Sequence, residues 1–294
     1  MINEELFLQK CHRILTADRV LIALRFLASG SLYSTIADSH RVSRSSVCRI
    51  IYQFTKVVFK NRGNFIRFPV NGVELRRISQ KFHLVADFPN VIGCIDGSQF
   101  AIKAPSVNEH TYVCRKGYHS INAQFVCDAD FIFLDAVVKY PGSAHDSYIF
   151  NMSGVKHLFE SNVIPSGWLL GDSGYPQLRY LMTPKTAPAS YAHHRYNRAH
   201  QKTRLLIEKS IGILKARFLC LSHKVTGPLL CTPSSVCRII VTCVSLHNLA
   251  RRLKLPIPDV DVVNADSSDF IAEGGVITES GSLVRENLIQ QSFS

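Results

Sequence analysis

Val91-Ile92-Gly93-Cys94-Ile95-Asp96-Gly97 is the stretch on which the fold turns. A short apolar run closed by an acid and a glycine reads as a buried strand. A second run, Trp168-Leu169-Leu170-Gly171, ends in the same way at Asp172, followed by Ser-Gly-Tyr. Both aspartates suit the crevice at strand ends where open α/β sheets bind ligands. Gly97 allows close backbone approach beside Asp96. Glu208 is the third notable acid. It is the only one between Arg179 and Lys224, a stretch with ten lysines and arginines. Ile207, Ile211, Leu214 and Phe218 recur at helical spacing, which puts Glu208 on the seam between a packed stripe and solvent.

Asp, Asp and Glu from two strands and a helix suit metal-dependent phosphodiester cleavage. That reaction needs an activated water or hydroxyl and a stabilised leaving oxygen, and two divalent cations roughly 3.5–4 Å apart serve both ends. Mg²⁺ and Mn²⁺ take oxygen ligands and keep several waters, so Asp96, Asp172 and Glu208 are sufficient as catalytic and metal-holding residues. Arg204, Lys209 and Lys215 would keep Glu208 ionised and bind a phosphate backbone. Each acid also has a plainer reading. The aspartates could cap loops after strands, and Glu208 could be a salt-bridge partner.

The bulk composition narrows the partners. At 294 residues, 46 % of them hydrophobic, the chain can bury a large core. The net charge is +12, and it is uneven: all but one of the 34 basic side chains precede residue 255, whereas seven of the 22 acids follow it. A basic body calls for a polyanion, nucleic acid first. The acidic end (Asp259, Asp261, Asp266, Asp269, Glu273, Glu279, Glu286) reads as a solvated tail. The longest apolar run, 239–250, is too short for a bilayer and holds His247 and Asn248, which read as core residues. The start lacks the basic and apolar regions of a signal peptide. Nine cysteines form neither a C-x-x-C pair nor zinc spacing and read as reduced core fillers of an intracellular protein.

Along the chain, Thr16 to Thr55 is helical. Val20, Leu21, Leu24 and Leu27 mark one face, Leu32–Asp38 a short second helix, and Ser43 the N-cap of a third. That third helix turns Val47, Ile50, Ile51 and Phe54 inward and Arg44, Ser45 and Arg49 outward. This is a helix-turn-helix pattern, with an ordinary three-helix unit as the alternative. Residues 71–84 read as another helix. Val91–Ile95 and Phe100–Lys103 read as strands around Asp96-Gly97-Ser98. Ile121–Cys127 and Phe131–Tyr140 form a hairpin through Asp128-Ala129-Asp130. Helices are expected over 147–160, 197–218 and 234–254, with a loop over 176–195. His145-Asp146 could assist near a metal site, although Asp146 also suits the cap of the helix it precedes. Arg115-Lys116 beside Tyr112 reads as a DNA-contacting turn near Asp96. His193-His194 could touch phosphate but lack metal-ligand spacing. The pattern describes a mixed α/β sheet flanked by helices.

The residues then resemble a known family. The stretches 91–97, 101–105, 112–122 (Tyr-Val-Cys-Arg-Lys-Gly-Tyr-His-Ser-Ile-Asn) and 141–147 (Pro-Gly-Ser-Ala-His-Asp-Ser) are similar to transposases of the PIF/Harbinger class, and to the transposase-derived nucleases of animals. So are 168–175, 195–200, 207–209, 214–218 and Leu-His-Asn at 246–248. The likeness runs from about 16 to 255, with less sequence ahead of the helix-turn-helix than is usual there. It implies an RNase H-like core with a DDE triad on Asp96, Asp172 and Glu208. It also implies a divalent cation, a DNA substrate, a Myb/SANT-like partner protein and a place in the nucleus, with the cytoplasm as second compartment. The expected division is a helix-turn-helix-like segment over 1–60, a basic connection over 61–90, the nuclease core over 91–255 and the acidic tail over 256–294. The competing expectations are a DNA-binding scaffold without nuclease activity and, less favoured by a helix-turn-helix, an RNA-processing enzyme.

Overall fold

The computed structural model describes residues 14–259 and 276–294. Three helices open it: α1 (Thr16–Ser29), α2 (Tyr33–His40) and α3 (Arg44–Lys60). Gly30 ends α1 in the left-handed region (φ +64°), with Thr226 so close that a Cβ there would lie 2.5 Å from its Cγ2. Ser43 caps α3, its hydroxyl accepting from the Ser46 amide at 3.1 Å. The face expected inward is inward: Val47, Ile50, Ile51 and Phe54 are buried, whereas Arg44, Ser45 and Arg49 are exposed. The next helix, α4 (Gly72–Ala86), is capped by the Asn71 side chain and packs on the sheet. The buried side chains of these helices are continuous with the core of the rest of the chain.

Five strands form one mixed sheet: β1 (Val91–Ala101), β2 (Ser120–Cys127), β3 (Phe133–Pro141), β4 (Trp168–Leu170) and β5 (Leu181–Met182), in the order β3-β2-β1-β4-β5. The first three pair antiparallel, and β4 and β5 then run parallel to β1. This is the RNase H-like mixed sheet flanked by helices. Between β2 and β3 the Asp128 carboxylate accepts from the amides of Asp130 and Ile132, both at 2.9 Å, while Phe131 adopts φ +63°. The hairpin acid is therefore a turn device.

Helices α7 (Tyr191–Arg217) and α9 (Pro233–Arg252) cover one face. Two short helices follow β3: α5 (Asp146–Asn151), which packs on β2, and α6 (Gly154–Glu160), which packs on α5; α8 (His223–Thr226) is a single turn. Along α7, Tyr196, His200, Thr203, Ile207, Ser210 and Leu214 make the buried stripe. In α9 the Asn248 amide is used at both ends, donating to Phe65 O and Phe133 O and accepting from Phe133 N. His247 is buried and its Nε2 meets Phe131 O at 2.8 Å, so Leu-His-Asn clamps the start of β3.

Four expectations need correcting. Asp96-Gly97-Ser98 does not separate two strands: β1 continues through it, because Asp96, Gly97 and Ser98 pair with Phe125, Gln124 and Ala123 of β2. The helical pattern 147–160 breaks in two at Ser153, which caps α6. Helix α7 begins at Tyr191, six residues before 197, because Ser190 caps it by accepting from the His193 amide. The tail over 256–294 is not wholly solvated, since α10 (Glu279–Ser292) docks on α7 and β5. Arg285 is buried there on Gln177 Oε1, Thr183 O and Pro184 O; Glu286 pairs with Lys185 and with His193 at 3.1 Å; Phe293 packs against Phe88 and Tyr196. The acids of this end drew attention to its charge, while Val284, Leu288, Ile289 and Phe293 supply the apolar face. Asp261, Asp266, Asp269 and Glu273 lie outside the described residues. Among the described cysteines five are buried, as core fillers should be, but Cys48 is exposed. No described helix is long and apolar enough to cross a membrane.

Asp135 on β3 yields a stability test. Its Oδ2 is buried without a hydrogen bond, and burial pushes its carboxyl up to about 6, against one backbone hydrogen bond that lowers it. A folded-state value above the unfolded one means that the folded state binds the proton more tightly. Stability from this group is therefore present below about pH 4 and lost as pH rises through about 6. Asp135→Asn should remove that dependence and exceed the wild type by about 3 kcal/mol at pH 8. Urea unfolding of both chains at pH 4 and pH 8 checks it, and equal pH profiles would contradict the assignment.

Candidate active site

The parallel pairing of β1 with β4 brings the two aspartates together. Cys94 faces Leu170 in register, and Asp96 and Asp172 each lie two residues further along their chains. Alternation returns the Asp96 side chain to the face that Cys94 presents, and Asp172, just past the end of β4, is close enough to act on its charge. That face is covered by α7, since the Cys94 thiol meets Thr203 O at 3.4 Å. Next to Thr203 and Ile207 on α7 stand Arg204 and Glu208, one turn apart.

Arg204 is the centre of the arrangement. Its Nη1 lies 3.6 Å from Asp96 Oδ2, and its Nη2 pairs with Glu208 Oε1. Asp172 also acts on its charge, and together the carboxylates outweigh the burial that opposes a buried guanidinium. The Arg204 side chain is 21 % exposed, Asp96 17 % and Glu208 12 %, so these charges interact with little water between them. Burial pushes the Asp96 carboxyl well above the usual carboxylate range; Arg204 opposes this, and the charges of Asp172, Asp146 and Glu208 add to it. Asp96 and Asp172 each also accept one local amide, from Gly97 and Gly174, both at 2.9 Å. The loop-capping role of Asp172 is thus real, alongside its place in the cluster.

The three expected acids converge, and a fourth joins them. Asp146 is the first residue of α5, yet its carboxylate does not cap that helix. It accepts from Asn122 Nδ2 at 2.8 Å and stands so close to Gly97 that a Cβ there would lie 2.4 Å from Asp146 Oδ1. Burial raises its carboxyl, as does the charge of Asp172, against the Asn122 hydrogen bond and the charges of Arg115 and His145. The His-Asp pair at 145–146 was its only signal in the sequence, and capping was the stronger expectation there. Two further supports escaped sequence reading. Buried Tyr175 donates to Gln124 Oε1 at 3.3 Å close to the three aspartates, and burial holds its hydroxyl far above the ordinary value. His200 is buried against Met182 O at 3.0 Å, which ties α7 to β5; burial lowers its value to about 4, so the ring is neutral.

The expected DNA contacts fall into groups. Arg44, Ser45 and Arg49 line the exposed start of α3. Arg115 and Lys116 are exposed, and Arg115 Nη2 meets His145 Nδ1 at 3.0 Å. Lys209 lies over the Phe131 ring at 5.4 Å and Lys215 over Phe100 at 5.2 Å. Arg204 differs from all of these, being engaged by carboxylates. His193 is held by Glu286.

The donor set fits a hard divalent cation, because buried carboxylate oxygens short of positive partners are the ligands such ions take. Among the described residues no three His, Cys, Asp or Glu side chains already close on one point, and the Arg204 guanidinium lies between Asp96 and Glu208. A cation shared by those two acids requires Arg204 to swing aside.

Comparison with known proteins gives the family. Residues 95–248 match the DDE superfamily endonuclease model, which spans β1 to α9. The chain is 35 % identical over 242 residues to the human protein "Putative nuclease HARBI1", covering 82 % of this chain and 69 % of that one. It is 33 % identical over 246 residues to the Xenopus laevis protein of the same name, covering 84 % and 69 %. Against the Arabidopsis thaliana "Protein ALP1-like" the identity is 28 % over 248 residues, covering 79 % and 60 %. No solved structure matches the chain significantly.

Replacing Arg204 tests the electrostatics directly. Arg204→Gln leaves the acids without their cation and should lower stability at pH 7 by about 3 kcal/mol. The deficit should shrink as pH falls, because protonating the Asp96 carboxyl, whose proton affinity burial raises, removes a charge that Arg204 offsets. Denaturant unfolding at pH 7 and at pH 4 measures it, and a pH-independent loss would show that packing alone was removed.

Proposed function

The chain belongs to the DDE superfamily endonuclease family, and from that premise we propose that it is a transposase-derived, divalent-metal-dependent DNA endonuclease whose catalytic residues are Asp96, Asp172 and Glu208. The observation that carries this reading is the Cys94–Leu170 register, two residues beyond which Asp96 and Asp172 stand side by side against the helix that holds Glu208. Mg²⁺ or Mn²⁺, when bound, would supply Lewis-acid activation of the phosphodiester and of the attacking water. Asp96, Asp172 and Glu208 would hold it. Strand pairing and the α7 stripe keep these side chains fixed, so little ordering is left for the moment of reaction. Arg204, once released from the acids, lies within reach of a phosphate, and Lys209 and Lys215 extend the positive charge along α7. The exposed Arg44, Ser45 and Arg49 on α3, with Arg115 and Lys116, suit the DNA backbone.

One observation favours a second reading. The guanidinium between Asp96 and Glu208 neutralises part of the cluster with no cation needed, as a DNA-binding scaffold without cleavage would require. The resemblance to Harbinger-class proteins further supports action in the nucleus with a Myb/SANT-like partner, which affinity capture from nuclear extract and imaging of the tagged chain would test.

A plasmid nicking assay separates the readings. The wild type should nick DNA only with Mg²⁺ or Mn²⁺, and Asp172→Asn should lose roughly a thousandfold or more in rate while binding DNA normally. Metal-independent nicking, or nicking that survives Asp172→Asn, would sink the catalytic assignment; DNA binding with no nicking by the wild type would favour the scaffold. For the interface, Arg49→Ala should weaken DNA binding by similar factors on unrelated sequences and reduce the salt slope by about one. Fluorescence anisotropy across a salt series measures it, and an unchanged slope would remove Arg49 from the interface.

A further inference from the structure

Asp146 reaches the acid cluster from the other side of the sheet. Side chains alternate along β1, so Gly97 opens on the face opposite the one that Asp96 shares with α7. The Asp146 carboxylate lies flat on that opening: a Cβ on Gly97 would fall 2.4 Å from its Oδ1 and 2.6 Å from its Cγ and Oδ2. Only glycine at this position lets a carboxylate settle against the backbone immediately after Asp96. Asn122 holds it there. The Asn122 Nδ2 donates both to Asp146 Oδ1 and to Ala144 O, each at 2.8 Å, so the carboxylate and the entry to α5 are fixed by one buried amide.

The surroundings show an unmet demand. Arg115 and His145 act on the Asp146 charge, but among the described residues neither Lys nor Arg lies within ion-pair distance of it, and the Asn122 hydrogen bond goes to Oδ1. Asn122 is 3 % exposed and its Oδ1 is a buried acceptor with no donor. Its two Nδ2 contacts are both to acceptors, which fixes the orientation of the amide and leaves that oxygen turned the other way. A hydrated divalent cation would give the carboxylate a positive charge at contact distance, which Arg115 and His145 supply only from further off.

We propose that Asp146 is a fourth carboxylate of the phosphodiester-cleaving site, holding the divalent cation directly or through one water from the side of the sheet opposite Arg204 and Glu208. The proposal rests on the metal-dependent reading above. It explains why Asp146 forgoes the cap of α5, why Gly97 stands next to Asp96, and why a buried amide is spent on holding this carboxylate in place.

Mn²⁺ binding to the full chain, followed by the electron paramagnetic resonance of free Mn²⁺, tests this without any need for cleavage. Asp146→Asn keeps the shape of the side chain and should weaken Mn²⁺ by about tenfold or more. Gly97→Ala should weaken it comparably, because the three atoms nearest the new Cβ all belong to the Asp146 carboxylate, which must give up its place and move outward. Asp96→Asn serves as the control for the shared site. If Asp96→Asn loses Mn²⁺ while Asp146→Asn binds it as tightly as the wild type, this inference fails and the metal-dependent reading stands. If Asp146→Asn does not fold, wild-type Mn²⁺ affinity in a Gly97→Ala chain with wild-type circular dichroism overturns it equally. A wild type that binds no Mn²⁺ overturns both.

Discussion

Three carboxylates gathered around one guanidinium, with a fourth approaching from the other side of the sheet, set the terms for this protein. Asp96, Asp146, Asp172 and Glu208 repel one another in a site with little water, and Arg204 is the basic side chain ion-paired with two of them. Such a cluster is unfavourable unless the scaffold forces it. The scaffold does so from three directions. The parallel pairing of β1 and β4 sets two acids side by side, α7 lays a third against them, and α5 presses the fourth onto Gly97.

The rest of the fold keeps those directions fixed. The buried α7 stripe fixes the rotation of that helix, so that Arg204 and Glu208 come to the sheet while Lys209 faces outward. His200 ties the same helix to β5, and neutral imidazole serves there because Met182 O needs only one N–H. On the far side Asn248 and His247 clamp the start of β3, which in turn pins β2, the strand that pairs with β1 through Asp96. The last helix adds a strap, with Arg285 satisfying carbonyls that the β5 turn leaves open.

The helices of the N-terminal segment were legible because each has a local cause: Ser43 caps α3, and Val47, Ile50, Ile51 and Phe54 recur at its period. The hairpin was legible because Asp128 does its work within four residues. The errors share the opposite character. Asp96-Gly97-Ser98 has the composition of a turn and becomes strand only because β2 supplies partners for it. Residues 279–292 are acidic by count, and only Gln177, Lys185, His193 and Phe88 give that helix somewhere to dock.

The sequence by itself marked three of the four clustered acids as candidates, since Asp96 and Asp172 close buried runs and Glu208 stands alone in a basic field. Run length, period and charge contrast are properties of neighbours in the chain. Tertiary structure decided how the acids meet. The Cys94–Leu170 register, the guanidinium between Asp96 and Glu208, and the approach of Asp146 through the gap at Gly97 join residues from 49 to more than 100 positions apart. Pairing and close packing alone bring such positions together, and a one-residue slip of β4 would turn Asp172 to the opposite face.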